Sequence, residues 1–292
     1  MGGKTMSGET MDIYAIGARI RMLRPGLSPS ELKVVDMLTR PDMPDSIKLK
    51  DLAETIGVSE PLVVKTTQKL GFSGYRDCRR FLQAYNALPS TALFQEIEPE
   101  DSTAEILSKV FNTSIQALQE TLAILDVASF EKAVTALHQA RNRDLYGVGG
   151  SAQIARDVAH KLLRIGVRAS VYDDAHMMLM SSSLLGEGDV AIGFSHSGRT
   201  GVVIDAMLRA RQAGATTIAV TNYAESPLSE VADLVLCSTA RGSPLLGENA
   251  AARVAQLNIM DAMFAALAQK NLDFAERNLQ KTSGAVSEKR RK

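Results

Sequence analysis

The chain has 292 residues, of which 45% are hydrophobic and 23% charged, and its formal net charge is zero. The length fits one large domain or two ordinary ones, and the composition is that of a globular protein. Cys78 and Cys237 are far apart, which excludes a disulfide framework and a cysteine-rich metal site. No run of about 18 apolar residues and no secretory signal are apparent, so we expect a cytoplasmic protein without a membrane partner.

The N-terminal part of the chain is slightly basic and has a helical pattern. Residues 1–92 hold 13 Lys and Arg against 10 Asp and Glu. In "LSPSELKVVDMLTR" the apolar residues recur about once per helical turn, and Ser28 or Ser30 is placed to cap the helix. Short amphipathic segments continue to about residue 85, which predicts an all-α domain.

One of these segments, "IKLKDLAETIGVSEPLVVKTTQKLGF", has the pattern of a helix-turn-helix. Gly57 supplies the turn, and Ala53 is small where the two helices must cross closely. We expect Ser59 to cap the second helix and Pro61 to be tolerated in its first turn. Four apolar residues are predicted to point inward: Leu52, Ile56, Val58 and Val63.

In a helix-turn-helix the second helix enters the major groove of DNA, and nearby cations contact phosphates. Five cations and one acid lie between Lys65 and Arg80, which suits that role. An ordinary helical bundle with a basic face is the alternative. The predicted DNA-binding residues are Ser59, Glu60, Val64, Lys65, Gln68, Lys69 and Arg76, with Arg79 and Arg80 as further candidates for phosphate contacts.

The remainder of the chain predicts a second, α/β domain. A proline-containing acidic stretch at 89–105 indicates a linker, and a long helix is predicted from 103 to 125. Beyond residue 130, helices alternate with short apolar strands, which predicts a parallel sheet covered on both faces. The strand candidates are "RDLYGVG", "RASVY", "DVAIGFS", "TTIAVTN" and "DLVLCS", and a last long helix is predicted over 249–270.

Two of these strands end in unusual loops, "YGVGGSA" at 146–152 and "FSHSGRT" at 194–200. The carboxyl ends of parallel strands share one edge of the sheet, where ligands bind. Glycines let the first loop approach an anion, and helices begin just after both loops with a partial positive charge. The hydroxyls of the second loop alternate around His196. The pattern predicts a phosphate-binding site made of backbone N–H groups and hydroxyls.

Together, "GVGGSA" and "SHSGRT" resemble the sugar-isomerase (SIS) domain, which binds phosphosugars through an S-x-S-x-x-T loop. With "SEPLVVKTTQKLGFSGY" ahead of them, the chain resembles a member of the RpiR family of transcriptional regulators. The resemblance implies a helix-turn-helix domain at 13–90, a linker and connecting helix at 91–128, and an SIS domain at 129–282. The implied SIS fold is a five-stranded parallel sheet in three α/β/α layers.

The resemblance also implies a function. We expect a repressor of sugar catabolism genes that binds double-stranded operator DNA as a homodimer or homotetramer, without cofactor, metal or catalytic residues. Its effector is expected to be a phosphosugar of the ribose or allose type. The predicted ligand-binding residues are Gly149, Gly150, Ser151, Ser195, His196, Ser197, Gly198, Thr200 and Glu248, with Asn249 and Arg253 as further candidates.

Two enzyme alternatives use the same residues. Gly147, Gly149 and Ala152 also satisfy a dinucleotide-binding G-x-G-x-x-A pattern, with Asp173 or Asp174 as the ribose-binding acid. That alternative leaves the hydroxyl loop unexplained and provides no substrate domain. A phosphosugar isomerase would instead need an acid–base group, for which His176, His196 and Glu248 are the candidates.

Overall fold

The computed structural model describes residues 13–40, 43–44, 47–86, 97–240 and 250–287. The chain divides into two compact units, Met1–Ile124 and Leu125–Lys292, which are described in turn. Within the described ranges, no helix is both long and apolar enough to cross a membrane.

The first unit is built from helices, as predicted. A capping box begins α2: the Ser28 N–H donates to Glu31 Oε2 at 2.7 Å, and the Glu31 N–H donates to Ser28 Oγ at 3.3 Å. Ser28, rather than Ser30, is therefore the cap. The helices are α1 (Ile13–Leu23), α2 (Pro29–Leu38), α3 (Leu49–Ile56), α4 (Glu60–Lys69), α5 (Tyr75–Asn86) and α6 (Thr103–Ile124).

The predicted helix-turn-helix is formed by α3 and α4. Gly57 ends α3 in the left-handed conformation (φ 69°), which a residue with a β-carbon resists. Leu52 and Val63 are fully buried, and Ile56 and Val58 are partly buried against the same cluster. Ser59 stands at the N-cap of α4 with an extended backbone, but its side chain makes no capping hydrogen bond. The N-cap position was therefore predicted correctly, but the predicted capping by the Ser59 side chain is wrong.

The second unit contains all five predicted strands, which pair in parallel in the order β2-β1-β3-β4-β5. Alternate side chains of a strand face opposite layers, so Leu145 joins one core cluster and Tyr146 the other. The strands are β1 (Arg143–Tyr146), β2 (Ser170–Tyr172), β3 (Val190–Phe194), β4 (Thr216–Thr221) and β5 (Leu234–Cys237).

Helices cover both faces of the sheet and complete the three expected layers. One core cluster joins the sheet to α7, α8, α12 and α13, and the other joins it to α9, α10 and α11. The sequence did not predict α1 or α13. The helices are α7 (Val127–Gln139), α8 (Gly150–Arg164), α9 (Ala175–Ser182), α10 (Gly201–Gln212), α11 (Pro227–Glu230), α12 (Ala250–Lys270) and α13 (Leu272–Ser287).

Candidate functional sites

The strand order creates a crevice at the carboxyl edge of the sheet. β1 and β3 are direct neighbours, with Tyr146 in register with Gly193. From β1 the chain crosses through α8 to β2 on one side, and from β3 it crosses through α10 to β4 on the other. Such a topological switch point is where open α/β sheets bind ligands. The two loops singled out in the sequence follow β1 and β3, so they flank this crevice.

The first loop, residues 147–149, requires glycine for geometric reasons. Gly149 has φ 57° at the N-cap of α8, and a β-carbon on Gly147 would lie 3.0 Å from the carbonyl carbon of Ser151. Gly149 and Gly150 are exposed, and Ser151 in the first turn of α8 is half-buried. The Ser151 hydroxyl has no hydrogen-bond partner within the described part of the chain, so it is available to a ligand in the crevice.

In the second loop, residues 195–200, two of the predicted hydroxyls face each other. Ser195 is 1% exposed, and its Oγ lies 2.9 Å from Thr200 Oγ1. Thr200 stands at the N-cap of α10, while Ser197 Oγ accepts from the Arg199 N–H at 3.2 Å. The structure therefore brings Ser195 and Thr200 together, with Ser197 on the same tight turn.

The backbone of the second loop is fixed by its neighbours. The His196 carbonyl accepts from the Asn222 N–H at 3.0 Å, and the Gly198 carbonyl accepts from the Leu228 N–H at 3.0 Å. Gly198 has φ +64°, and a β-carbon there would lie 2.3 Å from Ser226 Oγ. Only glycine fits this position without displacing the chain after β4. The loop is therefore a preorganised cradle rather than a loose connection.

The other predicted ligand residues are less uniformly placed. His196 is half-buried, with its ring 6.2 Å from that of Tyr223 in an edge-on arrangement. Arg253 in α12 extends toward the first loop, and its Cδ lies 3.8 Å from the position of a β-carbon on Gly150. Glu248 and Asn249 lie outside the described residues.

A buried polar cluster lies just before the first loop. The Tyr146 hydroxyl donates to Asp144 Oδ2 at 3.2 Å and lies 2.9 Å from Ser181 Oγ of α9. Burial raises the pKa of Asp144 above its ordinary value, although the hydrogen bonds from Ser181 and Tyr146 oppose the shift. The cluster ties α9 to β1 immediately before the glycines. Sequence reasoning missed it because Asp144 interrupts the strand only as a single polar residue.

The dehydrogenase alternative has little support from this geometry. Asp174 caps α9, accepting from the Met177 N–H at 3.1 Å, and Asp173 is paired with Arg156. Both proposed ribose-binding acids therefore already have partners. The strand order 2-1-3-4-5 is also the flavodoxin-like one and differs from the dinucleotide-binding order 3-2-1-4-5-6. His176, a candidate acid–base group of the isomerase alternative, is exposed in the first turn of α9.

The second helix of the helix-turn-helix, α4, presents a polar surface. Its predicted contacts Ser59, Glu60, Lys65 and Gln68 are exposed, as is Arg76 in α5, whereas Val64 is half-buried. Lys69 is engaged within the unit. Its ammonium donates to the Gly26 carbonyl at 2.8 Å and lies 3.7 Å from Glu31. The hydrogen bond from the Ser28 N–H is the main reason that the pKa of Glu31 lies below its ordinary value. The positive charge of Lys69 lowers this pKa further.

One predicted phosphate contact is wrong. Arg79 is 7% exposed, and its guanidinium donates to the Pro44 carbonyl at 2.8 Å, so it stabilises the interior of the unit. Arg80 is exposed but paired with Asp77 at 2.8 Å, and it lies over the ring of Phe81.

Comparison with known proteins agrees with the fold of both units. Residues 15–88 match the helix-turn-helix domain of the rpiR family, and residues 136–266 match the SIS domain. The HTH-type transcriptional regulator RpiR of Escherichia coli K12 is 42% identical over 268 residues, which cover 91% of this chain and 90% of that protein.

Two solved structures are similar as well. The Vibrio vulnificus NanR protein complexed with ManNAc-6P has a TM-score of 0.60 and 27% identity, covering 94% of this chain and 98% of that one. The sugar isomerase domain of the RpiR transcription factor from Sphaerobacter thermophilus has a TM-score of 0.57 and 25% identity. The match covers 61% of this chain and 98% of that one.

The fold and the family matches define a helix-turn-helix transcriptional regulator with a second, α/β domain. The chain belongs to the RpiR family of helix-turn-helix transcriptional regulators that carry an SIS domain. Its named relatives are regulators, which decides for a regulator against the isomerase alternative.

Proposed function

We propose that this protein is a repressor of sugar catabolism genes and that a phosphosugar in the SIS domain controls its binding to operator DNA. The observation that carries this proposal is the pair of hydroxyls, Ser195 and Thr200, at the β1–β3 switch point. The NanR complex with ManNAc-6P supports a phosphosugar as the ligand class. A cytoplasmic location follows from DNA as the partner.

The phosphate of the ligand would be held without a metal. The backbone N–H groups at the starts of α8 and α10 carry partial positive charge, and anions are stabilised there. Hydroxyls of Ser151, Ser195, Ser197 and Thr200 supply further donors to the phosphate oxygens. Arg253 is close enough to the start of α8 to add a charge-assisted bond. The proposed ligand-binding residues also include Gly149, Gly150, His196, Gly198 and Glu248.

The identity of the sugar is the finer part of the proposal. The loops after β1 and β3 bind the phosphate and are compatible with many sugars. The resemblance of longer motifs, among them "HKLLRIGVR" and "SPLLGENAAARVAQL", to RpiR favours a ribose- or allose-type phosphate. Ribose 5-phosphate and allose 6-phosphate are therefore the first effectors to test, with ManNAc-6P as the comparison ligand.

DNA recognition is proposed for α4. Ser59, Glu60, Val64, Lys65 and Gln68 would approach base edges, while Arg76 would contact a phosphate. Lys69 was predicted as a further contact, but its ammonium is bound to the Gly26 carbonyl, so the proposal rests on the other six residues. We further propose that α6 transmits the effector signal, because only residues 125 and 126 separate it from α7 in the effector-binding unit.

The test compares three serine variants of the full-length protein. We expect Ser151→Ala and Ser195→Ala to bind a selected operator duplex normally and to lose the effector response. Such a response typically changes affinity by roughly 5- to 150-fold. Ser170→Ala is the matched control, since Ser170 is exposed at the start of β2, at the opposite end of that strand from the crevice. Fluorescence anisotropy of labelled DNA measures both quantities.

A converse variant separates the two sites. Lys65→Ala should weaken DNA binding and leave the thermal shift caused by phosphosugars unchanged, because Lys65 lies in α4 and not at the crevice. The pocket assignment is wrong if both Ser151→Ala and Ser195→Ala keep a normal effector response.

A further inference from the structure

Helix α6 packs on the rest of the first unit with one polar face. Glu120 is 1% exposed, pairs with Arg21 of α1 and accepts from the Tyr85 hydroxyl of α5 at 3.2 Å. Gln116 donates to the same carboxylate at 2.8 Å. The buried residues of this face are Thr113, Gln116, Ala117, Glu120 and Thr121. The inner face of α6 is therefore fully used within the unit.

The opposite face of α6 is apolar and exposed. At 100° per residue, the following side chains point away from the inner face: Leu107 (57% exposed), Phe111 (66%), Ile115 (50%) and Leu122 (77%), with the half-buried Leu118 between them. Their spacings of three and four residues make one continuous stripe along the helix. We call these five residues the α6 stripe.

Single exposed apolar residues are ordinary on protein surfaces, but a continuous stripe is not. The stripe also lacks charge. Between Val110 and Ile124 the sole charged residue is Glu120, which lies on the inner face. The centres of protein interfaces are depleted of charged residues in the same way and enriched in aromatic ones such as Phe111.

We propose that the α6 stripe is a dimer interface, in which α6 of one copy packs antiparallel against α6 of a second copy. In a two-fold contact a residue near the axis meets its own copy, so a charge there would meet a like charge. An uncharged apolar stripe avoids this repulsion and is self-complementary. The helix is 22 residues long, or about 33 Å, which is sufficient for two copies to overlap over several turns.

The position of α6 explains what the pairing would do. α6 belongs to the same compact unit as α4, the helix that reads DNA. Pairing two such units fixes the separation of two recognition helices, as binding to a two-fold symmetric operator requires. This inference depends on the DNA-binding role of the family and not on the identity of the effector.

Cross-linking of the full-length protein tests the contact. Ile115 lies at the middle of the stripe, so two copies of it meet near the two-fold axis. The protein's own thiols, Cys78 and Cys237, are both buried. We expect Ile115→Cys to give a disulfide-linked dimer under mild oxidation. Gln119→Cys is the control on the exposed surface beside the stripe, since its two copies would lie about 12 Å apart along the helices, too far for a disulfide.

A charge pair tests the consequence for DNA binding. Ile115→Glu and Ile115→Lys should each bind a duplex with two half-sites at least tenfold more weakly than Gln119→Glu, and mixing the two variants should restore affinity. Absence of an Ile115→Cys dimer, equal cross-linking of Gln119→Cys, or a failure of the mixture to restore binding would each overturn the proposal. Absence of the Ile115→Cys dimer is the result expected if another part of the same chain covers the stripe.

Discussion

Gly198 shows how a single residue shapes the loop after β3. Its φ of +64° lies in the left-handed region, and its missing β-carbon leaves room for Ser226, which caps α11. The Ser226 side chain accepts from the Ser229 N–H at 3.3 Å. The loop after β3 and the turn after β4 can therefore approach each other only because residue 198 is glycine.

We predict that Gly198→Ala destabilises the second unit by about 1–2 kcal/mol or more, because a β-carbon adds strain and a clash with Ser226. The response to phosphosugars should be lost with it. Gly284→Ala is the control: nothing lies within 4 Å of a β-carbon there, and the site is within α13, where alanine is favoured by about 1 kcal/mol. Thermal melting with and without ligand measures both. Wild-type melting and response in Gly198→Ala would refute the role of the tight turn.

Individual residues also mark where sequence reasoning fails. The spacing of Ser195, Ser197 and Thr200 was enough to predict a hydroxyl loop, because strand and helix patterns fix where the loop begins and ends. The burial of Arg79 was not predictable, since its partner is the Pro44 carbonyl, 35 positions away in sequence. A cation at a helical spacing looks alike in sequence whether it faces DNA or the interior.

An ion pair between Arg21 and the buried Glu120 carboxylate helps to attach α6 to α1 and α5. Arg21, Tyr85 and Gln116 all direct polar groups at the Glu120 carboxylate. The Tyr85 hydroxyl also occupies the space beside Gly17 of α1, where a β-carbon would lie 2.4 Å from it. The three helices are thus joined by polar contacts with fixed geometry in addition to apolar packing.

We predict that Glu120→Ala destabilises the first unit by about 3–5 kcal/mol, because it leaves the Arg21 guanidinium without its buried partner. Gln119→Ala, at the exposed neighbouring position, should change stability by less than about 0.5 kcal/mol. Urea denaturation followed by circular dichroism gives the comparison. A Glu120→Ala transition that coincides with wild type would show that the ion pair does not hold α6.

Whole helices and strands differed in how well they could be predicted. The five strands were identified because each is a short apolar run between helical segments. α13 was missed because Ala275 is its one buried residue, so few of its positions had to be apolar. α6 was predicted as a helix, but its two faces were not, since the polar residues of its inner face belong to a network that is visible only in three dimensions.

The chain combines a helix-turn-helix domain and an SIS domain, and the proposed function requires that the two be coupled. The family and both domains could be identified from sequence motifs because the loop after β3 and the turn of the helix-turn-helix each demand particular residues. The coupling between the two domains could not be identified from motifs, because it depends on a difference in free energy between two states of the protein. A ligand changes DNA affinity only by its differential affinity for those states.

The most direct test of this account is the dissociation constant of the full-length protein for its selected operator duplex, with and without saturating phosphosugar. We predict that ribose 5-phosphate or allose 6-phosphate changes this constant by roughly 5- to 150-fold, and that operator DNA changes the phosphosugar affinity by the same factor. An operator affinity that stays constant in the presence of every phosphosugar tested, ManNAc-6P included, would contradict it.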